Sequence, residues 1–188
     1  GFPEVKIFAS GDLDETVIEQ LNKAGACIDV YGVGTRLVTA HDDPALTGVY
    51  KLAAIADEQG VWRNTRKKSD SLEKATLPGI KQVWRLHDQR GMIADWIELE
   101  PAAPDPAQAV PGYLPSETAP HQFSGITQTQ PLLQACMRAG EILSPQPTLT
   151  DIRAHATANL YNLPEPVRRL ANPAPYPVTL GPRLWAEM

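Results

Sequence analysis

Two short glycine-containing segments are the residues of this sequence best suited to chemistry. The first is Ser-Gly-Asp at 10–12, and the second is Gly-Val-Gly-Thr at 32–35. Glycine lets a backbone approach a ligand closely and turn its N–H groups inward, and a hydroxyl group can donate one further hydrogen bond. These groups suit a phosphate. Either segment alone is more often a simple tight turn, so the prediction depends on the two occurring as a pair.

Each segment follows a predicted strand and precedes a predicted helix. The strands cover 5–9 and 27–31, and the helix between them has apolar residues three and four apart and ends at Gly25. Asp12 and Glu15 match a capping box at its start, which is the favoured interpretation, and the Asp12 carboxylate also suits ribose hydroxyls or magnesium, a role that the cap does not exclude. A second helix is predicted from Thr35. Ligands of parallel α/β folds lie at the carboxyl ends of strands, so the two loops should face one another.

This pairing predicts a phosphate-binding site but no catalytic group and no metal-ligand set. The predicted binding residues are Ser10, Gly11, Asp12, Gly32, Gly34 and Thr35.

The α/β pattern is assigned to residues 1–47, and the pattern then changes. Residues 48–100 predict an antiparallel β section with strands at 49–55, 82–86 and 92–99, the last two joined by a hairpin turn at 88–91. The opening strand needs parallel neighbours that the chain scarcely provides, so we expect further strands N-terminal to it.

Prolines dominate the next segment. Residues 101–131 contain seven of them, which predicts an extended surface strap without regular elements. Residues 132–188 predict a C-terminal helical extension, with helices at 132–143 and 151–161, the second capped by Thr150. A short strand at 176–180 and a final turn of helix complete it.

Composition excludes several classes of protein. The net charge is −5 and the pI is near 5.4, which argues against non-specific nucleic-acid binding. No segment has the length and apolarity of a membrane span or the pattern of a signal peptide. Cys27 and Cys136 lie far apart, so we expect two reduced, partly buried thiols and a cytoplasmic protein.

The order of several segments strongly resembles that of the nicotinate phosphoribosyltransferase family. The matching segments are Val5–Glu15, Ile28–Thr35, Pro44–Leu46 with Val49–Leu52, Lys74–Lys81 and Tyr176–Leu180. The Leu-Pro-Gly sequence at 77–79 is the most specific of these features. The resemblance covers nearly the whole chain except the proline-rich strap.

This resemblance implies a fold and a reaction. The fold would be the late βα units of a phosphoribosyltransferase-type (β/α) barrel, followed by the antiparallel section and the C-terminal helices. The family forms nicotinate mononucleotide and pyrophosphate from nicotinate and phosphoribosyl pyrophosphate, with ATP hydrolysis, in NAD biosynthesis. The resemblance further implies ATP and magnesium as cofactors, a homodimer, and an N-terminal remainder of the same protein that carries the nicotinate-binding and phosphohistidine residues. This portion alone should be inactive.

Carried over to this chain, the resemblance gives Thr35 the 5-phosphate, helped by Gly32 and Gly34. Gly11 and Asp12 become the neighbouring phosphate and ribose contacts. Gly181 departs from the family pattern, in which a small hydroxyl residue is expected.

Other polar residues are interpreted as surface groups. The sequence places no carboxylate or backbone partner beside any histidine, so each is expected in a loop or at the surface. A basic run is expected to form a solvated loop, although an anion site is the alternative. The histidines are His41, His87, His121 and His155, and the basic residues are Arg63, Arg66, Lys67 and Lys68.

The competing function is a non-catalytic phosphate- or nucleotide-binding or interaction module with the same fold.

Overall fold

The structure is a computed structural model that describes residues 2–45, 47–67 and 75–188. The chain divides into two compact units, Gly1–Tyr50 and Lys51–Met188. Leu46, Lys68 and Lys74, which the sequence analysis drew on, lie outside the described residues. No helix in the described ranges is long and apolar enough to cross a membrane.

The first unit is a β-α-β-α arrangement with a two-stranded parallel sheet. Its elements are β1 (Phe8–Ser10), α1 (Glu15–Lys23), β2 (Val30–Gly32) and α2 (Thr35–Val38). Both strands are shorter than predicted and begin about three residues later, because the chain before them pairs only through Ile7 and Asp29. No closed sheet occurs in the described residues.

Helix α1 begins at a different cap from the predicted one. Asp14 is the N-cap, and its Oδ1 accepts a hydrogen bond of 2.8 Å from the Val17 N–H. Asp12 adopts a left-handed φ of 45° two residues earlier, so the predicted capping box of Asp12 with Glu15 is wrong. The predicted stop at Gly25 is confirmed: this glycine has φ of 73°, and its N–H donates to the Asn22 carbonyl.

The second unit is organised around a four-stranded sheet with the order β12-β6-β5-β9. Strands β5 (Lys81–Asp88) and β6 (Gly91–Leu99) form the predicted antiparallel hairpin, with Trp84 opposite Trp96. Strand β9 (Gln128–Pro131) pairs with β5, and β12 (Val178–Leu180) lies parallel to β6. The predicted late strand is therefore confirmed, in a shorter form.

Smaller elements surround this sheet. Two further two-stranded pairs are antiparallel, β3 with β4 and β7 with β8. Their bounds are β3 (Ala54–Ala56), β4 (Trp62–Asn64), β7 (Val110–Gly112) and β8 (His121–Phe123). The strand predicted at 49–55, the first of the antiparallel section, is thus reduced to the shorter strand β3. Strands β7, β8 and β9 all lie in the segment 101–131, so the prediction that it lacks regular elements is wrong. Proline is compatible with short edge strands.

The predicted helix at 132–143 is wrong. This segment instead forms a small hairpin of β10 (Met137–Arg138) and β11 (Glu141–Ile142). Ala139 and Gly140 between them have φ of 50° and 86°, which a continuous helix does not tolerate and a two-residue hairpin turn requires. The helical spacing of apolar residues in this segment was a coincidence.

The second predicted helix is confirmed with earlier bounds. Helix α3 (Leu149–Asn162) starts after Thr148, not Thr150, and Thr148 forms a capping box with Asp151. Two short helices follow, α4 (Glu165–Arg168) and α5 (Pro182–Ala186). The latter is the predicted final helical turn.

The core of the second unit consists of two apolar clusters. The first contains Leu86, Ala94, Trp96, Val110 and Ile126, and the second contains Leu99, Leu180 and Leu184. Beside the second cluster, the Glu98 side chain is 1% exposed and accepts hydrogen bonds from the N–H groups of Leu99, Arg183 and Leu184. A buried carboxylate thus caps α5 and joins it to β6.

Candidate functional site

The parallel pairing of β1 with β2 brings the two glycine-containing loops together. Ser10 lies opposite Gly32 at the ends of the strands, so both loops leave the sheet at the same edge. A cavity of about 200 Å³ lies between them. Its lining residues are Gly11, Asp12, Leu13, Gly32, Gly34, Thr35 and Arg36. Five of the six predicted binding residues therefore line one cavity, and the sixth, Ser10, precedes it as the last residue of β1.

The three predicted loop glycines serve different purposes. Gly11 has φ of 109°, which residues with a side chain rarely adopt. A Cβ at Gly32 would lie 2.7 Å from the Phe8 ring, so this glycine allows the two strands to pack. A Cβ at Gly34 would meet no atom within 4 Å, and Gly34 leaves room at the cavity itself.

Backbone donors at the cavity are available for a ligand. Helix α2 begins at Thr35, and its N-cap Gly34 has no side chain to bind the first N–H groups. Leu37 and Val38 donate to the Gly34 carbonyl, whereas the N–H groups of Thr35 and Arg36 have no acceptor among the described residues. The cavity therefore offers two neighbouring N–H groups and the Thr35 hydroxyl, a donor set suited to an oxyanion.

Arg36 is the residue of this region that the sequence analysis missed. Its Nη1 lies 3.0 Å from Asp14 Oδ2, and the two side chains are 40% and 16% exposed. Arg36 also lines a second cavity of about 340 Å³, together with Asp14, Glu15 and residues of the 37–43 segment. The sequence signal was an arginine directly after Gly-Val-Gly-Thr, but its partner lies on another loop.

The described residues do not assemble a metal centre. Within the described ranges, no three side chains of His, Cys, Asp or Glu come together as metal ligands. Asp12 lines the 200 Å³ cavity as a single carboxylate, which does not by itself fit the ligand set of magnesium.

The histidines differ from the expectation in two respects. His41 and His121 do have neighbouring carboxylates, from Asp42 at 3.1 Å and Glu117 at 2.7 Å. His87 lies in strand β5 and not in a loop, and it lines a polar cavity of about 390 Å³. Burial, and to a smaller degree the charge of Arg85, lowers the pKa of His87 below its ordinary value.

The described residues of the basic run lie at the surface, as expected, but Arg63 belongs to strand β4 and not to a loop. Arg63 is paired with Asp57 at 3.6 Å, and Arg66 donates to the Glu187 carbonyl at 3.0 Å. Lys67 is exposed, and Lys68 lies outside the described residues. The two cysteines are free thiols that are exposed, so the expectation of partial burial is wrong.

The Leu-Pro-Gly segment at 77–79 is held by one lysine. Lys81 Nζ donates to the carbonyls of Leu77, Pro78 and Gly79 at 2.8, 3.2 and 2.6 Å. Burial lowers the pKa of this ammonium group. Its hydrogen bonds go to the loop backbone, so the motif organises the start of β5 and does not present the lysine to a ligand.

The structure also explains the unexpected glycine at 181. A Cβ there would lie 2.5 Å from Glu98 Oε2 and 2.6 Å from the Trp96 ring. The small hydroxyl residue that we expected at this position has no room.

The structure shows a mixed α/β protein with a cavity between two loops that follow adjacent parallel strands. Residues 80–188 match the family model described as nicotinate phosphoribosyltransferase C-terminal domain. Because this match covers more than half of the chain, the protein belongs to the nicotinate phosphoribosyltransferase family.

Individual relatives extend the similarity over the whole chain. The nicotinate phosphoribosyltransferase of Bacillus subtilis is 37% identical over 100% of this chain and 38% of its own length. The human enzyme of that name is 35% identical over 97% of this chain and 33% of its own length. The crystal structure of human nicotinic acid phosphoribosyltransferase matches with a TM-score of 0.70 and 30% identity, covering 97% of this chain and 32% of that one. The chain therefore spans about a third of the length of these relatives.

Proposed function

We propose that this chain is the C-terminal part of an enzyme that forms nicotinate mononucleotide and pyrophosphate from nicotinate and phosphoribosyl pyrophosphate. In this proposal the 200 Å³ cavity binds the 5-phosphate of the phosphoribosyl group. One observation carries it: two loops from adjacent parallel strands enclose a space with unpaired backbone N–H groups. The family membership supports the same assignment.

The proposed contacts follow from the donors around this space. The N–H groups of Thr35 and Arg36 and the Thr35 hydroxyl bind phosphate oxygens, and Gly34 lets the phosphate approach the backbone. Gly11, Asp12 and Gly32 complete the wall of the cavity. In this proposal the Asp12 carboxylate binds ribose hydroxyls. Ser10 is assigned a supporting role at the end of β1.

The contribution of this site to the reaction is binding at a distance from the reacting carbon. Interactions with a non-reacting phosphate provide binding energy that positions the rest of the substrate. Stabilisation of the charge that develops on the ribosyl ring needs further groups, which we assign to the N-terminal part of the protein.

Several further properties of the complete protein are part of the proposal. They are closure of β1 and β2 into a (β/α) barrel with additional strands, coupling to ATP hydrolysis, use of magnesium, assembly as a homodimer, a role in NAD biosynthesis and a cytoplasmic location. Magnesium bound with phosphoribosyl pyrophosphate would neutralise pyrophosphate charge, and its ligands would come mainly from outside this chain.

The phosphate contact is tested by Thr35→Val in the complete protein. The change keeps the shape and removes one donor, and a charge-assisted hydrogen bond contributes about 1.5–3 kcal/mol, or roughly ten- to a hundredfold in affinity. We expect that loss for phosphoribosyl pyrophosphate and nicotinate mononucleotide, and little change for nicotinate. Titration of all three ligands measures it.

Thr16→Val is the matched control, because Thr16 is an exposed threonine of α1 that does not line the cavity. Equal weakening for nicotinate in a folded Thr35→Val variant would indicate a damaged site. Unchanged affinities for all three ligands would leave Thr35 as part of α2 only and contradict the proposal.

The chain of 188 residues should form no nicotinate mononucleotide by itself. The nicotinate-binding and phosphorylatable groups are assigned elsewhere in the protein, and the described histidines lie outside the 200 Å³ cavity. Product formation by the purified chain, measured chromatographically, would show that the catalytic groups had been assigned to the wrong part of the protein.

A further inference from the structure

Arg36 joins the two loops that enclose the 200 Å³ cavity. Its backbone follows β2, whereas its partner Asp14 follows β1 and caps helix α1. Arg36 lines both the 200 Å³ cavity and the 340 Å³ cavity, and it is the only lysine or arginine among the residues lining either one. The cation nearest to the proposed phosphate position is thus fixed by an ion pair between the two loops.

The ion pair leaves most of the guanidinium group available. Asp14 Oδ2 lies 3.0 Å from Arg36 Nη1, whereas Asp14 Oδ1 accepts a hydrogen bond from the Val17 N–H. A guanidinium group has five N–H donors, and the others on Arg36 have no acceptor in the described part of the chain. The side chain is also 40% exposed, so an incoming ligand can reach it.

The charges around the cavity make this cation necessary for an anion. Asp12 lines the cavity, and Asp14, Glu15, Asp42 and Asp43 line its neighbour, so five carboxylates lie in or beside the region proposed for the phosphate. Without a basic side chain these groups would repel a phosphate dianion. The backbone N–H groups carry only partial charge and do not offset them alone.

We infer that Arg36 is a further substrate-binding residue that pairs with the 5-phosphate, and that Asp14 is the positioning residue that holds its guanidinium group. The inference rests on the proposed function, because it names a contact of the same phosphate. Asp14 has a double role: it starts helix α1 with one carboxylate oxygen and fixes Arg36 with the other.

The test uses the complete protein with ribose 5-phosphate, phosphoribosyl pyrophosphate and nicotinate as probes. Arg36→Met should lower the affinity for the two phosphate ligands about tenfold. This is the low end for a charged contact, because the side chain is partly exposed. Arg36→Lys should recover part of the affinity, since it restores the charge without the planar fork. Nicotinate binding should be unchanged in both variants.

Asp14→Asn isolates the positioning role. Asparagine caps a helix as well as aspartate does, so α1 is retained while the ion pair is lost. We expect a loss of about two- to fivefold for the phosphate ligands, the scale of a partly exposed ion pair. Because Asp14 acts through Arg36, adding Asp14→Asn to Arg36→Met should give no further loss.

Salt dependence separates a phosphate contact from a structural role. Raising the ionic strength from about 0.05 to 0.5 M should weaken ribose 5-phosphate binding to the unaltered protein more than binding to Arg36→Met. Lys23→Met is the matched control, because Lys23 lies in the same unit, pairs with Glu19 on the surface of α1, and lines neither cavity. It removes the same charge and should leave affinity and salt dependence unchanged.

Different outcomes would refute either the role of Arg36 or the proposed phosphate site. If Thr35→Val weakens ribose 5-phosphate binding but Arg36→Met matches Lys23→Met, the phosphate site stands and the role of Arg36 is refuted. If neither Thr35→Val nor Arg36→Met changes phosphate binding, the proposed site itself is wrong. An Arg36→Met variant that loses nicotinate affinity equally would also refute the inference. Should Arg36→Met not fold, the comparison of Arg36→Lys with Lys23→Met decides in the same way.

Discussion

Gly34 and Gly181 stand at the start of short helices in different units, and their surroundings are opposite. A Cβ at Gly34 would meet no atom within 4 Å, whereas one at Gly181 would lie 2.5 Å from Glu98 Oε2. The first glycine borders a cavity, and the second allows β12 and α5 to close on a buried carboxylate. The same residue type therefore borders an open cavity in one unit and meets a packing requirement in the other.

The two units also differ in the number of their buried hydrophobic residues. Leu13 is the only buried hydrophobic residue described in Gly1–Tyr50, while nine lie in Lys51–Met188. Substitutions in the second unit should therefore reduce stability, and substitutions at the loops of the first should reduce ligand binding.

The largest effect is expected for Glu98→Ala. The change leaves the N–H groups of Leu99, Arg183 and Leu184 without their acceptor inside the protein. Each such loss costs about 1–3 kcal/mol, so the local free energy of unfolding should fall by about 3 kcal/mol or more. Hydrogen exchange of the 178–188 region in the complete protein measures this fall. Glu100→Ala, at an exposed position, is the control, and equal exchange in the two variants would refute the capping role of Glu98.

A smaller loss of stability is expected for Gly181→Ser. The added atoms would meet Glu98 and Trp96, and overpacking of this kind costs about 1–3 kcal/mol. The reason is space and not backbone strain, because Gly181 has φ of −73°. Thermal unfolding of the complete protein should show the decrease. An unchanged midpoint would mean that β12 and α5 adjust freely.

Gly34→Val should leave stability within about 0.5 kcal/mol and instead weaken phosphoribosyl pyrophosphate binding roughly tenfold or more. A branched side chain at this open position occupies the space proposed for the phosphate. The φ of −114° at Gly34 lies outside the left-handed region, so the expected effect rests on space. Gly48→Val, at another open position of this unit, should bind normally. If Gly34→Val unfolds the protein, the contrast between the two glycines fails.

The smallest effect concerns pH and the second unit. The pKa of His87 is lowered by burial and by Arg85, so the folded protein favours the neutral imidazole. Between the lowered pKa and the ordinary value of 6.5, the unfolded chain binds more protons, and stability should rise with pH and fall on acidification. An NMR titration of His87 against a peptide histidine measures the shift. A pKa at or above that of the peptide would contradict it.

Local signals in the sequence predicted the elements that depend on local chemistry. The turn at 88–91 gave the β5–β6 hairpin, and Gly25 ended α1, because turn and cap residues act over a few positions. The helix predicted at 132–143 is wrong because local backbone conformation decided there too. Ala139 and Gly140 are left-handed and form a hairpin turn, and the apolar residues at helical spacing belong to neither core cluster.

Contacts between distant residues escaped prediction. The Arg36–Asp14 pair spans two loops, and the lack of space at Gly181 depends on Glu98, far away in the sequence. The meeting of the two glycine-containing loops at one cavity was predictable because each loop carries its glycines locally, whereas the position of the Arg36 side chain beside them depends on tertiary structure.

The central claim is that the loops after β1 and β2 hold the 5-phosphate. A crystal structure of the complete protein with ribose 5-phosphate tests it most directly. The account predicts phosphate oxygens within about 3 Å of the Thr35 and Arg36 N–H groups and the Thr35 hydroxyl. A phosphate bound elsewhere, with the cavity between Gly11 and Gly34 filled by another part of the protein, would contradict it.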